Sequence, residues 1–278
     1  MKHRKKKNGL LGTMGNLVVY IYAIILTAPL LFAVMTAFKS EPERVINPVG
    51  LPQNPNFDNF VRAWVEGNLL TAAKNSIIIS CGSTILLLIN ITLVSYCLNR
   101  IRNTKIGAVL LMILVVGMFI PKVGTVTGLM LRRATGLYNS RLGEIIANSI
   151  GISMGVFLVT GFLRTIPRDL EEAAMIDGAS DFQICTKVIV PVILPSLMSV
   201  GILSFTGAWN NALGAMLTLR DEKLYTIPMS LLLNFTNEYS VEYSTLFAGV
   251  IMTCIPLVVV YCKCQKYFVS ALAGSVKG

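Results

Sequence analysis

The chain has 278 residues, 54% of them apolar and 14% charged, with a mean hydropathy of +0.68. A soluble domain of this length carries far more charge, so the composition excludes an ordinary water-soluble fold and points to an all-α, polytopic membrane protein. The net charge of +10 comes without a basic patch interleaved with aromatics, which leaves nucleic acid out as a partner.

In chain order, residues 1–15 form a basic segment opening with "MKHRKKK". The apolar stretch after it is too long for a signal peptide and lacks a small-residue cleavage site, so it reads as an uncleaved first helix. Six runs near the length of a bilayer core follow: Asn16–Phe38, Ile77–Leu98, Ile106–Thr127, Ile145–Leu163, Val192–Leu213 and Tyr243–Cys262. Pro121-Lys122 interrupts the third, a kink that neighbouring helices can satisfy. The transmembrane domain is 16–263, and 264–278 is a C-terminal tail. Lys and Arg before the first span place the N-terminus in the cytoplasm, and six spans return the C-terminus there. Arg132, Arg133 and Arg141 fall in an external loop and run against that bias. The external segment 39–74 holds "NPVGLPQNPNFDNF" and is too short for a separate domain.

Several chemistries are missing. The only histidine is His3, and no G-x-x-x-x-G-K-[ST] loop occurs, so neither His-based catalysis, a His-ligated metal nor P-loop ATP binding is expected. The six cysteines avoid the external loops and read as small apolar fillers. The acidic residues lie in loops or at span borders, whereas ion-driven carriers place ionisable groups at mid-membrane depth. Transport by this chain would draw its energy from a partner. A secondary carrier and a membrane scaffold without transport are the alternatives from other classes.

The loop 164–191, between the fourth and fifth spans, reads "RTIPRDLEEAAMIDGASDFQICTKVIVP". Asp169 suits an N-cap, and Glu171 and Glu172 favour the positive end of the same helix dipole. Ala173 and Ala174 are strong helix formers of minimal bulk. Asp177 precedes Gly178, which suits a turn of positive φ. A second short helix can start from Ser180, and Pro191 begins the next span where a missing N–H costs least. The local physics is helix, glycine turn, helix.

Its spacing resembles the signature of bacterial ABC importer permeases: Glu172-Ala173-Ala174, then Gly178, then Val188-Ile189-Val190-Pro191. "MIDGAS" is similar to the sugar-importer branch. "NSIIIS" at the second span, "AWNNAL" (208–213), "TIPMSLLL" (226–233) and the ending "QKYFVSALAGSVKG" are similar to carbohydrate permeases of the maltose type, with Ser270-Ala271 departing from the usual tail. The resemblance implies a coupling-helix loop that docks on a cytoplasmic ATPase through Glu171, Glu172, Ala173, Ala174, Asp177 and Gly178. It implies as partners a second homologous permease, two ATPase copies that bind ATP and Mg, an extracellular solute-binding protein, and a sugar. This chain would hold no cofactor and do no covalent chemistry. A polyol or glycerol phosphate is the alternative solute.

Four residues are candidates for the substrate pathway. Trp209 with Asn210 and Asn211 combines a ring that stacks on sugar with amides that bond hydroxyls, although Trp also anchors at membrane interfaces. Asn148 suits either pore lining or an interhelical hydrogen bond. Gly151 and Gly155 share one face of the fourth span, as close helix packing requires.

Overall fold

The computed structural model describes residues 10–119, 125–236 and 240–275. Pro121-Lys122 and the terminal Lys277-Gly278 lie outside them. In chain order the helices are α1 (Leu10–Ala37), α2 (Glu41–Ile46), α3 (Asp58–Glu66), α4 (Leu69–Arg100), α5 (Lys105–Phe119), α6 (Thr125–Ala134), α7 (Arg141–Ser149) and α8 (Ser153–Leu163). There follow α9 (Asp169–Ile176), α10 (Asp181–Gln183), α11 (Val190–Trp209), α12 (Ala212–Thr218), α13 (Ile227–Phe235) and α14 (Tyr243–Ser275). Among the described residues the only strand-like pairing is one isolated bridge, Thr236 with Val241.

Among the described residues, four helical stretches are long and apolar enough to cross a membrane: Gly15–Ala37, Leu69–Arg100, Asp181–Trp209 and Tyr243–Lys263. A fifth is the bent pair α7 and α8, and α5 is a shorter apolar helix. The run expected as one span over Ile145–Leu163 is therefore broken, with a 48° bend. The break falls at Ile150-Gly151-Ile152, where the glycine weakens helix continuation. The expected fifth span, Val192–Leu213, also shifts. It starts earlier, as a 29-residue helix from Asp181, and stops at Trp209. At its start, residues Ile184–Ile189 form a π turn in which the Val190 N–H reaches the Cys185 carbonyl. Pro191 cannot donate to the carbonyl four residues back, and the wide turn re-registers the ladder just ahead of it. At its end, the Asn211 side chain accepts from the Gly214 N–H at 3.1 Å and starts α12 instead of prolonging α11.

The chain divides into two compact units. One comprises Met1–Gly67 and Leu231–Met252. Its irregular segment is pinned from within. Lys39 is fully buried and donates to the Asn47 and Pro48 carbonyls at 2.8 and 3.1 Å. Asn59 donates to the Ala37 and Lys39 carbonyls, both at 2.8 Å. Along α1, the large apolar side chains between Leu17 and Leu31 stand exposed.

The other unit comprises Asn68–Ser230 and Thr253–Gly278. Its axis is α4, 32 residues without a proline. Helices α7, α8 and α11 pack against it. The shared core includes Leu87 and Ile91 of α4, Val156 and Val159 of α8, and Ile193 and Leu197 of α11. Gly155 makes the approach of α8 possible, because a Cβ there would stand 2.1 Å from Ile91 Cδ1. Gly151 has open space around it and sits in the break between α7 and α8, so only one of the two glycines serves packing.

Candidate functional site

The acidic loop folds as two helices about one glycine. Arg168, not Asp169, occupies the N-cap position of α9. The turn through Thr165–Pro167 delivers the backbone already at right-handed angles, with Arg168 at φ −65° and ψ −27°. An N-cap side chain needs extended backbone, so none forms here. Asp169, Glu171 and Glu172 instead fill the first turn, where the helix dipole favours carboxylates. At the other end Gly178 has φ +80°. The Ala179 N–H bonds the Ala174 carbonyl and the Gly178 N–H bonds the Met175 carbonyl, both at 3.0 Å. These two bonds are the Schellman closure, which satisfies the last carbonyls of α9 and needs a left-handed residue at that point. Ser180 then caps α10 in a reciprocal box with Gln183. Both ends of the turn are tied down by local hydrogen bonds.

Glu171 and Glu172 point to different surroundings. Glu171 is buried and faces the chain's own α4. Its Oε1 accepts from Asn99 Nδ2 at 3.3 Å, and its Oε2 lies 3.5 Å from Arg100 Nε. Glu172, Ala173, Met175 and Ile176 form the exposed side, with Ile176 87% exposed. Asp177 caps the C-terminus of α9 and is exposed as well. Ala174 is half-buried and packs on the core. The candidate docking set therefore splits: Glu171 and Ala174 hold the loop to its own chain, and Glu172, Ala173 and Asp177 face outward.

Sequence reasoning missed the other half of this site. Arg100 ends α4, and its guanidinium hydrogen-bonds the Tyr96 hydroxyl at 3.1 and 2.8 Å, makes a short hydrogen bond to Asp181, and forms an ion pair with Glu171. In the sequence, Arg100 reads only as one more basic residue flanking a span. The "NR" that closes the run is the one local trace of a binding pair.

At the far end of α4, two of the quoted motifs meet. Asn75 is fully buried. Its Nδ2 donates to the Lys223 and Tyr225 carbonyls, both at 2.9 Å, and its Oδ1 accepts from Arg141 Nε at 2.8 Å. Ser76 Oγ accepts from the Ile227 N–H at 2.9 Å. The "NS" opening of the second run is thus the anchor for "TIP" at 226–228. The three arginines that opposed the charge bias each have a partner: Arg141 has Asn75, Arg132 forms a short ion pair with buried Glu144, and Arg133 lies 5.0 Å over the Tyr138 ring. Thr218 also bonds Glu144. Arg220 donates to the Tyr138 hydroxyl at 3.1 Å, and together with Arg133 it holds that phenol below its usual range.

The pathway candidates are also placed. Asn211 donates to Asn148 Oδ1 at 3.0 Å, and Asn148 donates to the Glu144 carbonyl at 2.9 Å. This bond joins Asn148 of α7 to Asn211 at the α11–α12 break. Trp209 is 2% exposed and stacks on Phe205 at 5.6 Å between centroids. Burial and the Phe205 contact place this ring among the core residues. Asn210 is the exposed member of the group.

A set of apolar helices that holds an acidic helix pair at the end of its longest proline-free member defines an α-helical membrane protein. Residues 91–270 match the family described as binding-protein-dependent transport system inner membrane component, and the chain belongs to that family. It is 27% identical over 266 residues to the diacetylchitobiose uptake system permease protein NgcG of Streptomyces coelicolor, covering 95% of this chain and 86% of that one. It is 32% identical over 231 residues to the melibiose/raffinose/stachyose import permease protein MelC of Bacillus subtilis, covering 82% and 83%. Its fold matches a chain of a bacterial ABC transporter involved in the import of the acidic polysaccharide alginate, with a TM-score of 0.82 at 24% identity, covering 96% of this chain and all of that one.

Proposed function

We propose that this chain is one of two homologous permease subunits of an ATP-driven oligosaccharide importer. A solute-binding protein delivers the sugar on the outer side, and two copies of a cytoplasmic ATPase, which bind ATP and Mg, drive the cycle. The loop lies on the cytoplasmic side with both termini. Its outward face, Glu172, Ala173 and Ile176, docks on the ATPase. Ala173 lets the partner surface come close, and Glu172 supplies a charge for a basic group there. Lipid covers the exposed apolar side chains of α1. The chemistry of hydrolysis belongs to the partner; this chain moves.

The observation that carries the reading is the orientation of α9. A short helix with both ends fixed, one carboxylate turned inward and the next turned outward, is suited to receive a push and to pass it on. The relatives named above, which import oligosaccharides by their names, support a sugar as the solute.

The test is purification of the tagged chain from its own membranes. A second permease and an ATPase should co-purify, and the reconstituted complex should hydrolyse ATP faster with a binding protein loaded from a panel of oligosaccharides. Uptake that survives ATP depletion and collapses with the ion gradient would identify a secondary carrier instead. Stimulation by a polyol or glycerol phosphate alone would move the solute class.

A further inference from the structure

We propose that Arg100 is a positioning residue that makes α4 a second mechanical route out of the acidic loop, parallel to the covalent route through α11. The inference rests on the reading of that loop as the ATPase-driven element.

The geometry has three parts. First, the Arg100 partners straddle the Gly178 turn. Glu171 lies on α9 before it and Asp181 lies on α10 after it. One side chain therefore grips both arms of the loop, and Tyr96, one turn back on α4, orients it through two hydrogen bonds. A planar guanidinium can serve three acceptors at once, which an ammonium cannot do with the same geometry.

Second, the two routes differ in stiffness. The covalent route runs through the π turn Ile184–Ile189, then Pro191 and Pro195. Each interrupts the regular ladder of hydrogen bonds, and such points are where helices bend. Helix α4 has no proline and no break from Leu69 to Arg100.

Third, α4 has something to move at its far end. Asn75 and Ser76 hold the segment Lys223–Ile227 by three hydrogen bonds. A displacement of α9 taken up at Arg100 is delivered to that segment by one rigid rod.

The two arms of the grip are unequal. The Glu171 side chain is 11% exposed and also held by Asn99, whereas the Asp181 side chain is 79% exposed. Water and salt weaken the second pair far more than the first. The Glu171 arm carries the load, and the Asp181 arm trims it. Spatial connection alone does not establish coupling, so the test reads motion.

The full complex, with its ATPase and second permease, is placed in nanodiscs in a cysteine-free background. Spin labels go on exposed positions Asp169 of α9 and Leu93 of α4. In the parent complex the distance between them should stay the same in the nucleotide-free and ADP–vanadate states, because the two helices travel together. In Arg100→Gln the distance should differ between the two states, with ATPase co-purification retained. Arg100→Lys should fall between, and Asp181→Asn should shift least. If Arg100→Gln fails to insert, Glu171→Gln removes the main arm's charge while keeping the Asn99 bond, and it should show the same state-dependent shift. A purely structural tether would lower the thermal midpoint while leaving the distance identical in both states, and that result overturns the proposal. A parent complex whose own distance changes between states overturns it as well. Failure of any ATPase to bind the parent chain overturns the functional reading, and the relay with it.

Discussion

Asn99 donates to Glu171 at 3.3 Å across 72 positions of sequence, and this contact fixes which of two adjacent glutamates is held to its own chain. With Glu171 committed to its own chain, Glu172 alone of the pair is free to meet another protein. Glu172→Lys should weaken co-purification with the ATPase more than Glu172→Ala, since it adds repulsion to lost attraction. Both substitutions should leave the thermal midpoint unchanged, because the residue is exposed and both replacements are good helix formers. Glu171→Ala should do the reverse. It strands the Asn99 amide and half of the Arg100 grip, at a cost of about 1–3 kcal/mol. Thermal unfolding and pull-down of all three variants check the split. A Glu171→Ala variant with parent stability and lost docking would show the faces exchanged.

Gly178 sits at φ +80°, and a Cβ added there would meet no heavy atom within 4 Å, so space is not the constraint. Gly178→Ala should cost roughly 1–2 kcal/mol from backbone strain alone and should retain partial transport-linked ATP hydrolysis. Gly178→Pro fixes φ near −65° and removes the N–H that closes the turn onto Met175. It should insert normally and abolish stimulated hydrolysis. Parent-level stimulation in a well-expressed proline variant would refute the turn's role.

Trp209 belongs to the core. Trp209→Ala should destabilise the subunit by about 3–5 kcal/mol through the cavity it leaves. Trp209→Phe, which keeps a ring against Phe205, should recover most of that loss. The check is thermal unfolding beside solute-dependent ATP hydrolysis. An alanine variant of unchanged stability with a higher solute requirement would return the ring to the sugar pathway.

Asn75 satisfies two carbonyls and one guanidinium from a fully buried position. Each bond contributes about 0.5–1.5 kcal/mol net. Asn75→Ala should lower the thermal midpoint and make the 223–227 segment more susceptible to proteolysis. Asn75→Asp keeps an acceptor for Arg141 but loses both donated bonds, and it should rescue only in part. Equal proteolysis of parent and alanine variant would show that the segment is held elsewhere.

What could be read from the sequence was local. Run length marks the apolar helices, because a bilayer core sets how many residues a crossing takes. The Glu172-Ala173-Ala174…Gly178 spacing and a helix start at Ser180 specify helix, turn and helix from contacts within a few residues. The breaks at Gly151 and Asn211 were local too, but a hydropathy run passes over them, since the flanking residues are equally apolar on both sides. Tertiary structure decided the rest. Nothing near Arg100 in sequence announces Asp181, 81 positions on, and nothing near Asn75 announces Lys223 and Tyr225, 148 and 150 positions on. A charged or amide side chain states what it can bond, not with whom. The partner is chosen when packing of α4, α8 and α11 brings distant ends together and removes the water that would otherwise compete. That is why Glu171 and Glu172, alike in charge and adjacent in the chain, end in different surroundings, one buried against α4 and the other exposed.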